Sequence, residues 1–322
     1  GGALFMQAFG GVLDIGENVT LQVGGDGGRG GDATDSAITD TWVQAGSGGR
    51  SGSFRLSGRS AEFAGVNLII GSGGRGGDAY TDGIDGANKC TTAENGVNVS
   101  ATAGRGGNAW GCSSTVDFDP LIPSTLTGGN AGDGGDATAI AGDGGTASCQ
   151  REAIGGDGGN AYATAGKGGD VGLTTCTDPA LKYLASSFTA GNGGVATANA
   201  GNGGKAEAIA DTCGQYARAV GGDGGRSGAF GGHGGSHIND QAGLGGNANA
   251  TTGIGGSALA RGGDCLDDCA DGGGAEARGG DAGNLFSIRG GSAGQGHKGQ
   301  EGISTYTLGV GGNAEAYGGM GG

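Results

Sequence analysis

The chain has 322 residues, of which 88 are glycine and only 5% aromatic. That leaves too few large apolar side chains for a conventional core, and each ordered glycine costs about 0.5–1 kcal/mol more than alanine in conformational entropy. With 3 prolines and no sustained Gly-X-Y register, collagen is excluded. The formal charge of −15, from 32 acidic and 17 basic residues, argues against nucleic acid as a partner. No apolar run approaches the ~20 residues of a membrane span.

Residues 1–23 (GGALFMQAFGGVLDIGENVTLQV) are dense in Leu, Phe, Met, Ile and Val. They read as an apolar N-terminal strand that caps the first repeat or docks as an arm. The chain begins at Gly1 without a basic leader, as expected of a mature secreted chain. Residues 24–322 read as one glycine-rich repeat domain. Ser53-Phe54-Arg55-Leu56-Ser57 and Val66-Asn67-Leu68-Ile69-Ile70 have strand character. Surface insertions are expected near 81–100, 112–127 and 173–189, the second holding Pro120 and Pro123.

From Gly128 the pattern sharpens. The tetrapeptide G-x-G-G begins at Gly132 and Gly142, Gly156 and Gly166, and Gly191 and Gly201. It begins again at Gly222 and Gly232, Gly243 and Gly253, and Gly309 and Gly319. Between the glycines, alanines alternate with variable residues: Ala137-Thr138-Ala139-Ile140-Ala141, Ala206-Glu207-Ala208-Ile209-Ala210. Period two puts the alanines on one strand face. The fold class expected is all-β, a parallel β-solenoid of short Ala-lined strands with G-x-G-G turns in positive-φ conformations, about twenty residues per coil. The rival geometry is a polyglycine II bundle, because Gly24–Asp32 (GGDGGRGGD) is built of G-G-x triplets.

Little chemistry stands out, and no enzyme activity is expected. Glycine-rich sequence generates nucleotide-loop patterns by chance, and no G-K-[ST] follows one. Lys167 in GKGG is simply the variable residue of its unit. His233, His237 and His297 read as exposed residues without a metal-binding helix. Seven cysteines imply disulfides and an oxidising compartment. By proximity the expected pairs are Cys90–Cys112, Cys149–Cys176 and Cys265–Cys269, with Cys213 left free or intermolecular. Asn18, Asn98 and Asn249 each open an N-x-[ST] sequon. No cofactor is expected.

Gly73 to Thr81 (GGRGGDAYT) is similar to the calcium-binding β-roll nonapeptide. That resemblance makes Asp78, with Asp32 and Asp136 at equivalent places, weak calcium candidates, though the spacing here is ten residues and not nine. Strings such as GGDGGRGGDA and GGDGGNAYA resemble, by composition, extracellular glycine-rich repeat proteins. Those include PGRS-type surface proteins, glycine-rich antifreeze proteins and the tips of phage adhesins. The resemblance implies secretion to the extracellular space or cell surface and a scaffold role.

The function expected is a structural protein that self-assembles end to end into an extracellular filament or matrix, its partner being itself. The alternatives are an adhesin that binds glycans, an ice-binding protein, or a calcium-binding module. For ice binding, Thr138, Thr164 and Thr197 are outward candidates, with Glu207, Asn249 and Glu315 interrupting the ladder.

Overall fold

In the computed structural model, the residues described are 3–7, 12–15, 19–23, 26–51, 53–57, 60–63, 67–111, 117–118, 125–128, 130–173, 189–210, 216–230, 232–233, 244, 246–261, 275–278, 280–289, 304–307, 310–311 and 313–317. Among them there is no helix, and the secondary structure is twenty-eight short strands, β1 to β28 in chain order. Every strand pair is parallel.

The alternating Ala segments form these strands. β4 (Ala33–Ala37), β9 (Ala79–Gly83), β14 (Ala137–Ile140), β19 (Ala196–Asn199), β23 (Ala248–Thr251) and β27 (Ser304–Thr307) make one six-stranded sheet. Opposite it lies a five-stranded sheet of β5 (Thr41–Gln44), β10 (Val99–Thr102), β17 (Ala161–Thr164), β22 (Ser227–Phe230) and β26 (Leu285–Arg289). Further along the same two layers run β15 (Ala147–Cys149), β20 (Ala206–Ile209), β24 (Ala258–Arg261) and β28 (Ala314–Tyr317), facing β16 (Glu152–Ile154), β21 (Ala217–Val220) and β25 (Ala275–Arg278).

Between the layers the core is almost entirely alanine. Ala101, Ala139, Ala163 and Ala198 are completely buried in one cluster, and Ala147, Ala208 and Ala219 in the other. The facing strands β14 and β17 bring Cα atoms within 8 Å of each other. Stacked sheets with larger side chains stand ~10 Å apart.

The described glycine tracts do not turn the chain. Gly142–Gly145 carry it onward from β14, which packs on β10 and β17, to β15, which packs on β16. Reversal occurs at Gln150-Arg151, between β15 and β16. No glycine whose surroundings are described has a φ between +20° and +160°, so the expected positive-φ turns are absent there. Neighbouring strands are therefore not twenty residues apart. Residues in contact between successive circuits are separated by 46 to 66 positions. The ten-residue offset links two in-line units of one pass, as in Gly132 and Gly142.

Glycine is required instead by close approach. The tract 130–136 shows a three-residue hydrogen-bond period. Ala131 and Gly134 donate to Thr189 and Asn192 in the same layer. Gly132 and Gly135 donate across the layers to Gly107 and Gly104, and accept from Gly169 and Gly166. A Cβ on Gly134 would fall inside 3.0 Å of the Gly166 carbonyl oxygen, and one on Gly135 would do the same to Gly77. This period is that of the polyglycine II alternative, so Ala-lined strands and three-residue glycine segments alternate along each pass.

The apolar N-terminal stretch belongs to the same pattern. β1 (Ala3–Gln7), β2 (Val12–Ile15) and β3 (Thr20–Val23) pair with β6 (Ser53–Ser57), β7 (Ser60–Phe63) and β8 (Asn67–Ile70). The last two pair onward with β12 (Asp117–Phe118) and β13 (Thr125–Gly128), putting Leu21, Leu68 and Leu126 in register. Residues 81–100, expected as an insertion, run within the ladder: Gly86 donates to Asp143 and Gly96 to Asp157. Of 112–127, only Asp117–Phe118 and the start of β13 are described. Residues 174–188, most of the third expected insertion, lie outside the described residues.

Candidate functional site

The variable position of each described glycine triplet is exposed or half-buried on the outside of its layer. Where an Asp or Asn stands one circuit earlier, its side-chain oxygen accepts the backbone N–H. Asp78 N–H donates to Asp32 Oδ1 (2.9 Å), Asp136 N–H to Asp78 Oδ1 (2.9 Å) and Val195 N–H to Asp136 Oδ1 (2.7 Å). The same relation links Asp85, Asp143, Asn202 and Ile254. On the other layer it links Asn95, Asp157, Asp223 and Asp281. These side chains are ligands of the backbone lattice. The sequence held this signal in the recurrence of Asp and Asn at the variable position, but its partner was invisible without the 46-to-66-residue register.

The three calcium candidates, Asp32, Asp78 and Asp136, thus stand in one column, with arginines between them. Arg29 bonds Asp32 (2.8 Å) and Asp78 (3.0 Å), and Arg75 bonds Asp78 (2.7 Å) and Asp136 (3.1 Å). Partial burial works to raise the Asp78 pKa. The Arg75 hydrogen bond, the Asp136 N–H and the charges of Arg75 and Arg29 outweigh it and hold the carboxyl below its ordinary value. The Asp78 hydrogen bond in turn raises the Arg75 pKa. Among the described residues, no group of three or more His, Cys, Asp or Glu is arranged to hold a metal ion.

A second charged column crosses the sheet of β16, β21 and β25. Arg218 lies in register between Glu152 and Glu276, 2.9 Å from the first and 3.9 Å from the second. Tyr216 donates its hydroxyl to Glu276 at 2.5 Å, which raises the tyrosine pKa.

Cys90 is bonded to Cys149, with Cα atoms 4.8 Å apart and a sequence separation of 59. This corrects the expected pairs Cys90–Cys112 and Cys149–Cys176. Proximity in sequence misleads here, because residues one circuit apart are direct neighbours: Lys89 bridges Ala147 in the adjoining position. Cys112, Cys176, Cys213, Cys265 and Cys269 lie outside the described residues, as do His237, His297 and Asn18. Asn98 is half-buried and engaged at both ends of its amide. Its Nδ2 donates to Asp40 (3.2 Å) and its Oδ1 accepts from Asn160 (2.7 Å). Asn249 is half-buried within β23.

The threonine candidates separate. Thr138 and Thr197 are in register on the outer face of one layer, in a column that runs Thr34, Tyr80, Thr138, Thr197, Asn249, Thr305. Thr164 is on the other layer, beside Thr102. Glu207 and Glu315, expected to interrupt the ladder, occupy another sheet in register with Ser148 and Leu259. Only Asn249 interrupts it as expected, and Tyr80 is a second interruption.

An open groove of 350 Å³ on the same layer is lined by Asn202, Lys205, Ile254, Ser257, Val310 and Asn313. No helix of the described residues is long and apolar enough to cross a membrane.

No family model matches the chain, and no curated protein does. Among solved structures it is similar to the springtail antifreeze protein of Granisotoma rainieri, a bundle of nine polyproline type II helices whose crystal waters match the ice lattice. The match is 16% identical, covers 88% of this chain and 98% of that one, and has a TM-score of 0.14, too low to carry an argument.

Proposed function

We propose that this chain is a secreted structural protein: a parallel β-solenoid threaded by a glycine lattice, whose copies stack end to end into an extracellular filament or matrix. The observation that carries this reading is the direction of the Asx ladders. In each ladder the Oδ1 accepts its backbone N–H from the following circuit, as from Asp32 to Asp78 to Asp136. The two ends of a stack then differ, one offering N–H donors and the other side-chain oxygens. Unlike ends favour heterologous, propagating contacts over closed pairs. Among the described residues β4 and β27 are the edge strands of the six-stranded sheet, and edge ladder groups template further pairing. The most exposed large apolar residues described include Ile38 (78%) in the first circuit and Val310 (65%) in the last pass. The Cys90–Cys149 bond suits an oxidising compartment.

The test is sedimentation velocity over a range of concentrations, with electron microscopy of the same samples. Growth into unbranched filaments is expected. A protein that stays monomeric at the highest concentrations reached refutes the proposal.

The Thr138–Thr197 column favours a second reading, ice binding, since a flat face with regularly spaced hydroxyls matches ordered water. Thermal hysteresis that falls on Thr138→Tyr would support it, and a protein without hysteresis would dismiss it.

A further inference from the structure

The outer face of the five-stranded sheet carries two columns that the glycine lattice does not use. In register along the first run Trp42, Ser100 and Tyr162, and along the second Gln44, Thr102 and Thr164. Their strand neighbours Val43, Ala101 and Ala163 are buried, so period two turns both columns outward. Trp42 is 62% exposed. Tyr162, two strands away, is half-buried, and together the two rings offer an aromatic surface on a rigid face.

We propose that this face binds an uncharged, extended β-1,4-linked polysaccharide running along the stacking direction. Three features select that ligand. The aromatic positions of Trp42 and Tyr162 are two strand spacings apart, about 10 Å, with the small Ser100 between them. An extended β-1,4 chain turns over at each sugar, so alternate pyranose rings present the same C–H face at about that interval. The second column lies two residues along the strand, about 7 Å away, and offers an amide and two hydroxyls to the edges of the same rings. Finally, over β5, β10 and β17 neither column has a group charged at neutral pH, on a chain of formal charge −15; the second column reaches a charged residue only two strands further on, at Arg289 beyond Phe230. A neutral face matches a neutral polymer, whereas an anionic one would be repelled by the chain as a whole.

The experiment uses the full chain in depletion assays on microcrystalline cellulose and chitin beads, with fluorescence titration by a soluble β-1,4-glucan hexasaccharide. Binding is expected to persist at molar salt, where the Debye length is about 3 Å. Trp42→Ala is expected to weaken it about tenfold, and Trp42→Phe to restore part of it. Thr138→Ala, on the opposite layer, is expected to bind like the parent, and an α-1,4-glucan is expected not to bind. Three outcomes overturn the proposal. One is a parent chain that binds neither polymer. Another is a folded Trp42→Ala variant that binds as the parent does. The third is binding lost at molar salt, which would assign it to the cationic Arg105 and Lys167 of the adjoining glycine tracts.

Discussion

Asp78 accepts the backbone N–H of Asp136 at 2.9 Å, and Arg75 grips both carboxylates from between them. A single side chain therefore completes the lattice for a residue 58 positions away. Asp78→Ala leaves that N–H without its acceptor and removes the shared partner of Arg29 and Arg75. The expected cost is about 1–3 kcal/mol, read as a lower denaturation midpoint. Asp78→Asn keeps an Oδ1 in place and should cost less, because only the charge is lost and the ion pairs are exposed.

The same carboxylate sets a pH dependence. Its pKa in the folded chain is below the ordinary 3.8. A depressed folded pKa contributes stability that is present above the unfolded value and is lost as pH falls through the folded one. Thermal midpoints should thus fall on acidification below about pH 4. Asp78→Asn should show a shallower acid slope than the parent. Equal slopes would mean that other carboxylates dominate.

Gly134→Ala tests what the glycines are for. In an unconstrained segment this change would stabilise, by about 0.4–1 kcal/mol, through the unfolded state. Here the added Cβ meets the Gly166 carbonyl inside 3.0 Å, and backbone cannot step aside cheaply. The expected sign is reversed, with destabilisation of about 1–3 kcal/mol or more. A substitution at the outward variable position, Asn192→Asp, keeps the acceptor for Leu244 and should leave the midpoint nearly unchanged.

Strand identity was legible in the sequence wherever alanines alternate, because period two survives any tertiary arrangement. Ala137, Ala139, Ala196 and Ala198 are all buried, as that alternation requires. The role of the glycines was not legible. Positive φ and close backbone approach both demand glycine, and only neighbours such as Gly107 and Gly169 around Gly132 separate the two. The true register was hidden for a related reason. The ten-residue offset is the strongest local signal, but it measures distance along a pass. Contacts such as Ala137 to Ala196 depend on how much chain intervenes between passes, which no local pattern encodes. The misassigned disulfide follows from that register, and so do the ladders through Asp32, Asp78 and Asp136.

The Cys90–Cys149 bond ties two successive circuits at the reversal, with Cys149 resting against the Ala147 and Ala208 cluster. Closing a loop of 59 residues constrains the unfolded chain by about 4 kcal/mol in the loop-entropy model. Reduction, or Cys149→Ser, should lower the thermal midpoint by a corresponding amount while the far-ultraviolet spectrum at low temperature is kept. If the pairing were Cys90–Cys112, Cys149→Ser would leave the Cys90 thiol blocked to alkylation. With the observed pairing it frees that thiol, and mass mapping distinguishes the two.

Ala198 and Thr197 are adjacent in β19 and face opposite ways. Ala198 is completely buried between layers whose facing Cα atoms approach within 8 Å, so nothing larger than a methyl group fits. Ala198→Leu adds three carbons at a completely buried position, and the layers would have to part against their glycine cross-bonds. Destabilisation of at least about 1–3 kcal/mol is expected, with loss of cooperative unfolding if the layers separate locally. Thr197→Ser removes one methyl group from a half-buried outer position and should shift stability by less than about 0.5 kcal/mol. Urea denaturation of the two variants against the parent measures the contrast. Comparable midpoints for both would contradict a core whose thickness is set by alanine.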